Sequence, residues 1–233
     1  METAQIIAEM KANLDLTRRE PLKDLLFEAF KKTIVLGGIP AGTQLNEKQL
    51  SDALHISRTP IRSALNRLAD AQVVERVPGT GVIVRGISIK DADEIYRIRC
   101  VLETLAATVA SQRMSEEDFE GLRKLIERGE RSNSEGDIDA VIENFNQFNE
   151  YIYNQAQMPR LRDIVIQLQV YSRYFRDVAI RPAERRELAF QEHWGIYLAM
   201  RFGDEAKIRK SIKAHLHKSL VFVTGAMRAR GLS

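Results

Sequence analysis

At 233 residues the chain has room for one large domain or two smaller ones. An apolar share of 44% beside 29% charged residues excludes a disordered chain, and a net charge of only +3 excludes a uniformly basic surface. Any nucleic-acid signal must therefore be local. The single cysteine, Cys100, excludes an internal disulfide and fits a reducing compartment. The opening METAQIIAEMK lacks the basic start and apolar core of a signal peptide. No run approaches about 18 consecutive apolar residues, so the expectation is a cytoplasmic protein without membrane contact.

Residues 1–20 read as an N-terminal extension. From 21 to 36 the apolar face of Leu22, Leu25, Leu26, Ala29 and Phe30 predicts a first helix, broken by "IPAGTQL". A second helix opens at Asn46, which has capping-box spacing to Gln49, and buries Leu50, Ala53 and Leu54. "HIS" makes a turn. Ser57 is placed to cap a third helix by accepting from the amide of Thr59, with Pro60 in the first turn.

On that third helix Ile61, Ala64, Leu65 and Leu68 gather on one side, and Arg58, Thr59, Arg62, Ser63 and Asn66 on the other. "VVERV" and "VIVR" flank Pro78-Gly79-Thr80-Gly81 and predict a β-hairpin with a tight turn. Three helices plus a hairpin wing make a winged helix-turn-helix over residues 21–86, whose third helix enters the major groove. Arg58 and Arg62, one turn apart at its amino end, can each grip guanine O6 and N7.

The stretch "AGTQLNEKQLSDALHISRTPIRSALNRLADAQVVERVPGTGVIVRG" resembles the winged-helix domain of GntR-type transcriptional regulators. The resemblance implies DNA contacts at Lys48, Ser57, Arg58, Thr59, Arg62, Gly79 and Thr80. Gln72 departs from the family, which usually has glycine at the end of the recognition helix. A non-glycine there must end the helix otherwise or accept a positive φ.

After residue 86 the breaks "RMSEED", "SNSEGD", "MPR", "IRPAE" and "RFGDE" separate about six helices with no convincing strand. The reading for residues 87–233 is an all-α antiparallel bundle, so the chain as a whole is mainly α. His193 shares a face with Ala189, Ile196, Tyr197 and Met200, and His215 with Ile208, Ile212 and Phe222. Residue 204, in a turn, is their midpoint, so a helical hairpin would bring the imidazoles together. Asn149 joins Ile142, Ile152, Tyr153 and Ala156. Arg99 flanks a stripe of Ile95, Ile98, Leu102, Leu105 and Val109, either ion-paired with Glu103 or facing a ligand. Polar groups on several apolar faces need partners: either one another and buried water, or a shared effector pocket of Arg99, Asn149, His193 and His215, which is the expectation.

"RCVLETLAA", "FNEYIYNQAQMPRL" and "QEHWGIYLAMRFGDEAKIRKSIKAHL" resemble the FCD ligand-binding module of the FadR-like branch. The resemblance implies a ligand-responsive homodimer, more often a repressor, that binds a two-fold operator in double-stranded DNA and reads a small carboxylate effector. Many members hold a divalent metal through Asp-x-x-x-His and two later histidines. Here Phe145 and Asn149 stand in the first two places, leaving His193 and His215 as candidates for a site that is weak or absent, so no cofactor is required. Two other classes fit less of the sequence. A metal-dependent enzyme would not need a winged helix, and no nucleophile elbow, phosphate loop or HExxH motif is present. A nucleic-acid-binding protein whose helical domain only dimerises is the other, and effector binding by the helical domain separates it from a ligand-controlled regulator.

Overall fold

The computed structural model describes residues 3–232, apart from the side chains of residues 3, 170–173 and 176–178. It divides into two compact units, Met1–Ile89 with Met227–Ser233, and Lys90–Ala226.

The first unit contains α1 (Thr3–Asn13), α2 (Leu22–Val35), β1 (Gln44–Leu45), α3 (Glu47–Leu54), α4 (Arg58–Asp70), β2 (Val74–Val77) and β3 (Gly81–Val84). Leu26, Phe30 and Ile34 of α2, Leu50 of α3, and Ile61, Leu65 and Leu68 of α4 form its core. Part of the N-terminal extension is structured: α1 packs on α2 and α3 and buries Ile6, Ile7 and Met10. Asn46 caps α3, its Oδ1 accepting from the amides of Lys48 (2.9 Å) and Gln49 (3.1 Å).

Ser57 sits at the N-cap of α4, but its hydroxyl makes no capping hydrogen bond, contrary to the sequence expectation. Pro60 is the third residue of the helix and has no N–H. Half of the usual donors for a cap are therefore missing at this end. The other end closes as a glycine-type cap without glycine. Val73 N–H donates to Leu68 O (3.0 Å), Gln72 N–H donates to Ala69 O (2.9 Å), and Gln72 lies at φ +55°.

The wing forms as expected, with Val74 opposite Val84 and Val77 opposite Gly81. Thr80 N–H donates to Val77 O (3.1 Å) across the turn, and Gly79 takes the positive φ of +76° that such a turn needs. A third strand was not anticipated. β1 pairs with β3, giving the order β1-β3-β2, and two residues are too short to leave an alternation in the sequence.

The second unit holds the six-helix bundle of α5 (Ile89–Arg113), α6 (Glu116–Ser134), α7 (Ile138–Gln155), α8 (Pro159–Ala179), α9 (Ala183–Arg201) and α10 (Glu205–Arg228). Among the described residues no helix is long and apolar enough to cross a membrane. A reciprocal Ser115–Asp118 capping box starts α6, and the Asp137 carboxylate caps α7. Gly129 lets α6 approach Asn144 of α7 and Phe190 of α9 closely.

The expected burial of α5 needs correction. Its buried face is Ala92, Tyr96, Arg99, Glu103, Ala106, Ala107 and Ala110. Of the predicted stripe, Ile98 (41% exposed) and Leu105 (42%) are on the surface, Ile95, Leu102 and Val109 are half-buried, and Val101 (70%), outside the stripe, is exposed beside them. Small alanines let the helix pack closely, and the bulky side chains are left for another surface.

Candidate functional site

Two regions carry chemistry. On the first unit, Lys48, Ser57, Arg58, Thr59 and Arg62 are exposed on α3 and α4, and Gly79 and Thr80 are exposed at the wing tip. Leu50 and Leu54 anchor α3, and Ile61, Ala64, Leu65 and Leu68 anchor α4, which turns their polar sides outward together. Arg62 is not loose: its Nε donates to Glu47 Oε2 at 2.9 Å. Arg76 of β2 reaches the other oxygen of Glu47 at 3.6 Å and also donates to Asn66. Glu47 and Arg76 were missed from sequence, because a hairpin residue and a helix start 29 positions apart share no period. The Gln44 side chain donates to Thr80 O and ties β1 to the wing loop.

The second region is a small cavity of about 30 Å³ inside the helical unit, with Arg99, Asn149, His193 and His215 all in its wall. All four expected effector residues therefore meet there. The hairpin of α9 and α10 sets the two imidazoles 5.2 Å apart between ring centres. His193 is buried, stacked on Phe148 at 4.2 Å and met edge-on by Phe145 at 4.8 Å. Arg99 forms the ion pair that its spacing to Glu103 predicts. It lines the cavity, and its Nε also donates to Glu103 Oε1 at 2.7 Å, both side chains being buried. Burial is the largest single influence and would lower the pKa of this guanidinium, but the charge and hydrogen bond of Glu103, with Tyr96 and Tyr153, together hold it above the ordinary value.

Two wall-side residues escaped the sequence reading. Arg185, near the start of α9, lines the cavity with a side chain only 5% exposed. Glu192, the neighbour of His193 in sequence, is not in the wall. It is nevertheless buried behind it, with Oε2 2.7 Å from His215 Nδ1 and 3.4 Å from Arg185 Nη2. Burial pushes its carboxyl pKa up, but the His215 hydrogen bond and the neighbouring cations hold it below the usual value. The sequence signal for both was weak, since α9 is buried on more than one side.

The wall does not suit the divalent metal that the family resemblance implies. Phe145 fills the aspartate's place with a ring packed on Phe190 and His193. Asn149 offers only an amide, and His215 Nδ1 is already engaged by Glu192. Among the described residues no group of three His, Cys, Asp or Glu side chains could hold a metal ion.

An exposed basic recognition helix with a wing, followed by a helical bundle around a polar cavity, defines a transcription regulator with a ligand-binding domain. The chain belongs to the gntR family of bacterial regulatory proteins, whose model matches residues 22–84, and it carries an FCD domain over residues 94–218. These matches are consistent with the FadR-like branch, and they make the chain a regulatory rather than a catalytic protein. It is 31% identical over 160 residues to the HTH-type transcriptional regulator McbR of Escherichia coli (strain K12), covering 67% of this chain and 72% of that one. The HTH-type transcriptional repressor RspR of the same organism is 22% identical over 209 residues, covering 90% and 92%. The solved structure of E. coli McbR/YncC superimposes with a TM-score of 0.66 at 26% identity, over 88% of this chain and 98% of that one.

Proposed function

We propose that this regulator is a homodimeric, cytoplasmic repressor of a two-fold operator, released or retained by a small carboxylate in the helical cavity. Residues 21–86 would read the DNA, and 87–233 would bind the effector and dimerise. Arg58 and Arg62 meet base edges in this reading, and Lys48 meets phosphate. The uncapped Ser57 hydroxyl, with Thr59, Gly79 and Thr80, completes the backbone contacts. Arg99, Asn149, His193 and His215 bind the effector without metal.

The carrying observation is that one chain pairs an exposed Arg58–Arg62 helix face with a buried cavity in which four separately derived polar residues converge. A repressor is favoured because RspR, similar over 90% of this chain, is named as one. The exposed stripe of Ile98, Val101 and Leu105 supports a dimer.

Selection of binding sites from random duplex DNA by the full-length protein tests the reading. A palindromic motif should emerge. Arg58→Ala should then cost roughly 1–3 kcal/mol and relax one position per half-site. Lys48→Ala should weaken all sequences alike and reduce the salt slope by about one. Enrichment of no motif would sink the proposal.

A further inference from the structure

We infer that Arg185 is the anion-receiving group of the cavity, and that the effector it receives is a small monocarboxylate held directly, without metal. The inference rests on the reading of this cavity as the effector site.

Arg99 looks like the natural anion receptor in the sequence, but its charge is already taken up by Glu103 at 2.7 Å, and its guanidinium also lies 4.7 Å over the Tyr96 ring. Arg185 is less committed. Its guanidinium lies 5.0 Å over the Phe222 ring, and Nη2 reaches Glu192 only at 3.4 Å. Its Nη1 is buried and makes no hydrogen bond among the described residues. A buried guanidinium N–H without an acceptor is costly, and an oxygen from a bound anion removes that cost while forming a charge-assisted bond.

Charge and size narrow the class. Around the wall, Arg99, Arg185 and the half-exposed Lys218 face Glu103 and Glu192, with Lys218 Nζ 3.5 Å from Glu192 Oε1. Among these five side chains one positive charge is left over. A single carboxylate balances it, whereas a dianion would bury an uncompensated charge. A cavity of about 30 Å³ admits a group the size of a carboxylate, not an extended metabolite. Asn149 can donate a second bond, and Ile142, Ile180 and Val223 offer an apolar wall for a short alkyl tail.

Calorimetric titration of the full-length protein in chelator-treated buffer, with acetate, propionate, malonate, succinate and inorganic phosphate as probes, tests this. Propionate should bind with chelator present, and malonate, succinate and phosphate at least tenfold more weakly. R185Q should lose at least tenfold in propionate affinity. R185K, which keeps the charge but loses the planar fork, should fall between, and it decides the matter should R185Q melt early. Equal propionate affinity in wild type and a folded Arg185 variant overturns the role of Arg185 and leaves the cavity reading standing. Equal or tighter binding of a dianion overturns the charge argument, and no binding of any probe overturns the inference as a whole. Propionate binding unaffected by N149L together with H193F would instead place the anion elsewhere and overturn the cavity reading itself.

Discussion

Glu47 holds Arg62 by a 2.9 Å hydrogen bond from Nε, joining the start of α3 to the exposed face of α4. Because Nε is the bond used, the two terminal nitrogens of the guanidinium remain for a base. The carboxylate thus fixes the direction of a side chain that is 59% exposed. If Arg62 reads a base as proposed, Glu47→Gln should cost about 1 kcal/mol of discrimination there. Affinity for random DNA should hold or rise, because a negative charge leaves the phosphate-facing surface. Competition titrations on single-base operator variants measure both. Unchanged discrimination would remove Glu47 from the positioning role.

Gln72 offers a test in the opposite direction, toward greater stability. It sits at φ +55°, where an L side chain is strained by roughly 1–2 kcal/mol and glycine is not. Gln72→Gly should therefore stabilise the winged-helix unit by about 0.5–1 kcal/mol, after allowing for the greater freedom of glycine in the unfolded chain. Chemical denaturation followed by helical signal should show a higher midpoint. A lower one would mean that the Gln72 side chain makes a contact worth more than the strain.

What could be read in the sequence follows from how one-sided each element is. α4 buries a single stripe, so periodicity located its exposed Arg58 and Arg62, whereas Lys48 of α3 came only from the family resemblance. α9 buries Arg185, Arg186, Ala189, Phe190 and His193 around much of its circumference, so a rule that sends charges outward failed for Arg185 and Glu192. In α5 the rule failed the other way. Val101 and Leu105 are on the surface although apolar, because alanines do the packing inside. β1 left no trace, since its pairing with β3 depends on residues nearly forty positions away.

Gly129 should tolerate no side chain. An added Cβ would stand 2.2 Å from Asn144 Oδ1 and 2.9 Å from Phe190 Cε1. The Asn144 amide is held by its 2.8 Å bond to Leu125 O and cannot swing aside without losing it. Gly129→Ala should destabilise the bundle by about 2–4 kcal/mol, from overpacking and the broken buried bond together. Phe190 packs on the cavity-lining Phe145, so effector affinity should fall as well. An unchanged melting temperature would show that α6 shifts away freely.

The outward residues of α5 give an assembly test. Ile98, Val101 and Leu105 follow one another at three- and four-residue steps, and Val101 is 70% exposed. Val101→Glu should leave the monomer fold intact, because no buried contact is removed, and it should place two like charges together in a two-fold interface. Sedimentation at micromolar concentration should show a dimer for wild type and a monomer for the variant, with operator affinity falling accordingly. A wild-type monomer, with and without DNA, contradicts the dimer altogether.

Metal supplies the last test, and the donor chemistry sets the expectation. Zinc sites are built from three or four strong nitrogen, sulfur or carboxylate ligands. His193 and His215 face the cavity, but Phe145 and Asn149 occupy the positions that would complete such a set. Glu192, the nearest carboxylate to His215, already accepts from its Nδ1 and shares its oxygens with Arg185 and Lys218. Pulling it into a coordination shell would leave buried Arg185 without its counter-charge. A divalent ion would also add two positive charges to a wall already rich in cations. Protein dialysed against chelator and then offered one equivalent of zinc should therefore retain well under one ion per chain by elemental analysis. Its melting temperature should not move, and His193→Ala should change neither result. One equivalent retained by wild type and lost in His193→Ala would show that the surviving histidine pair still forms a metal site.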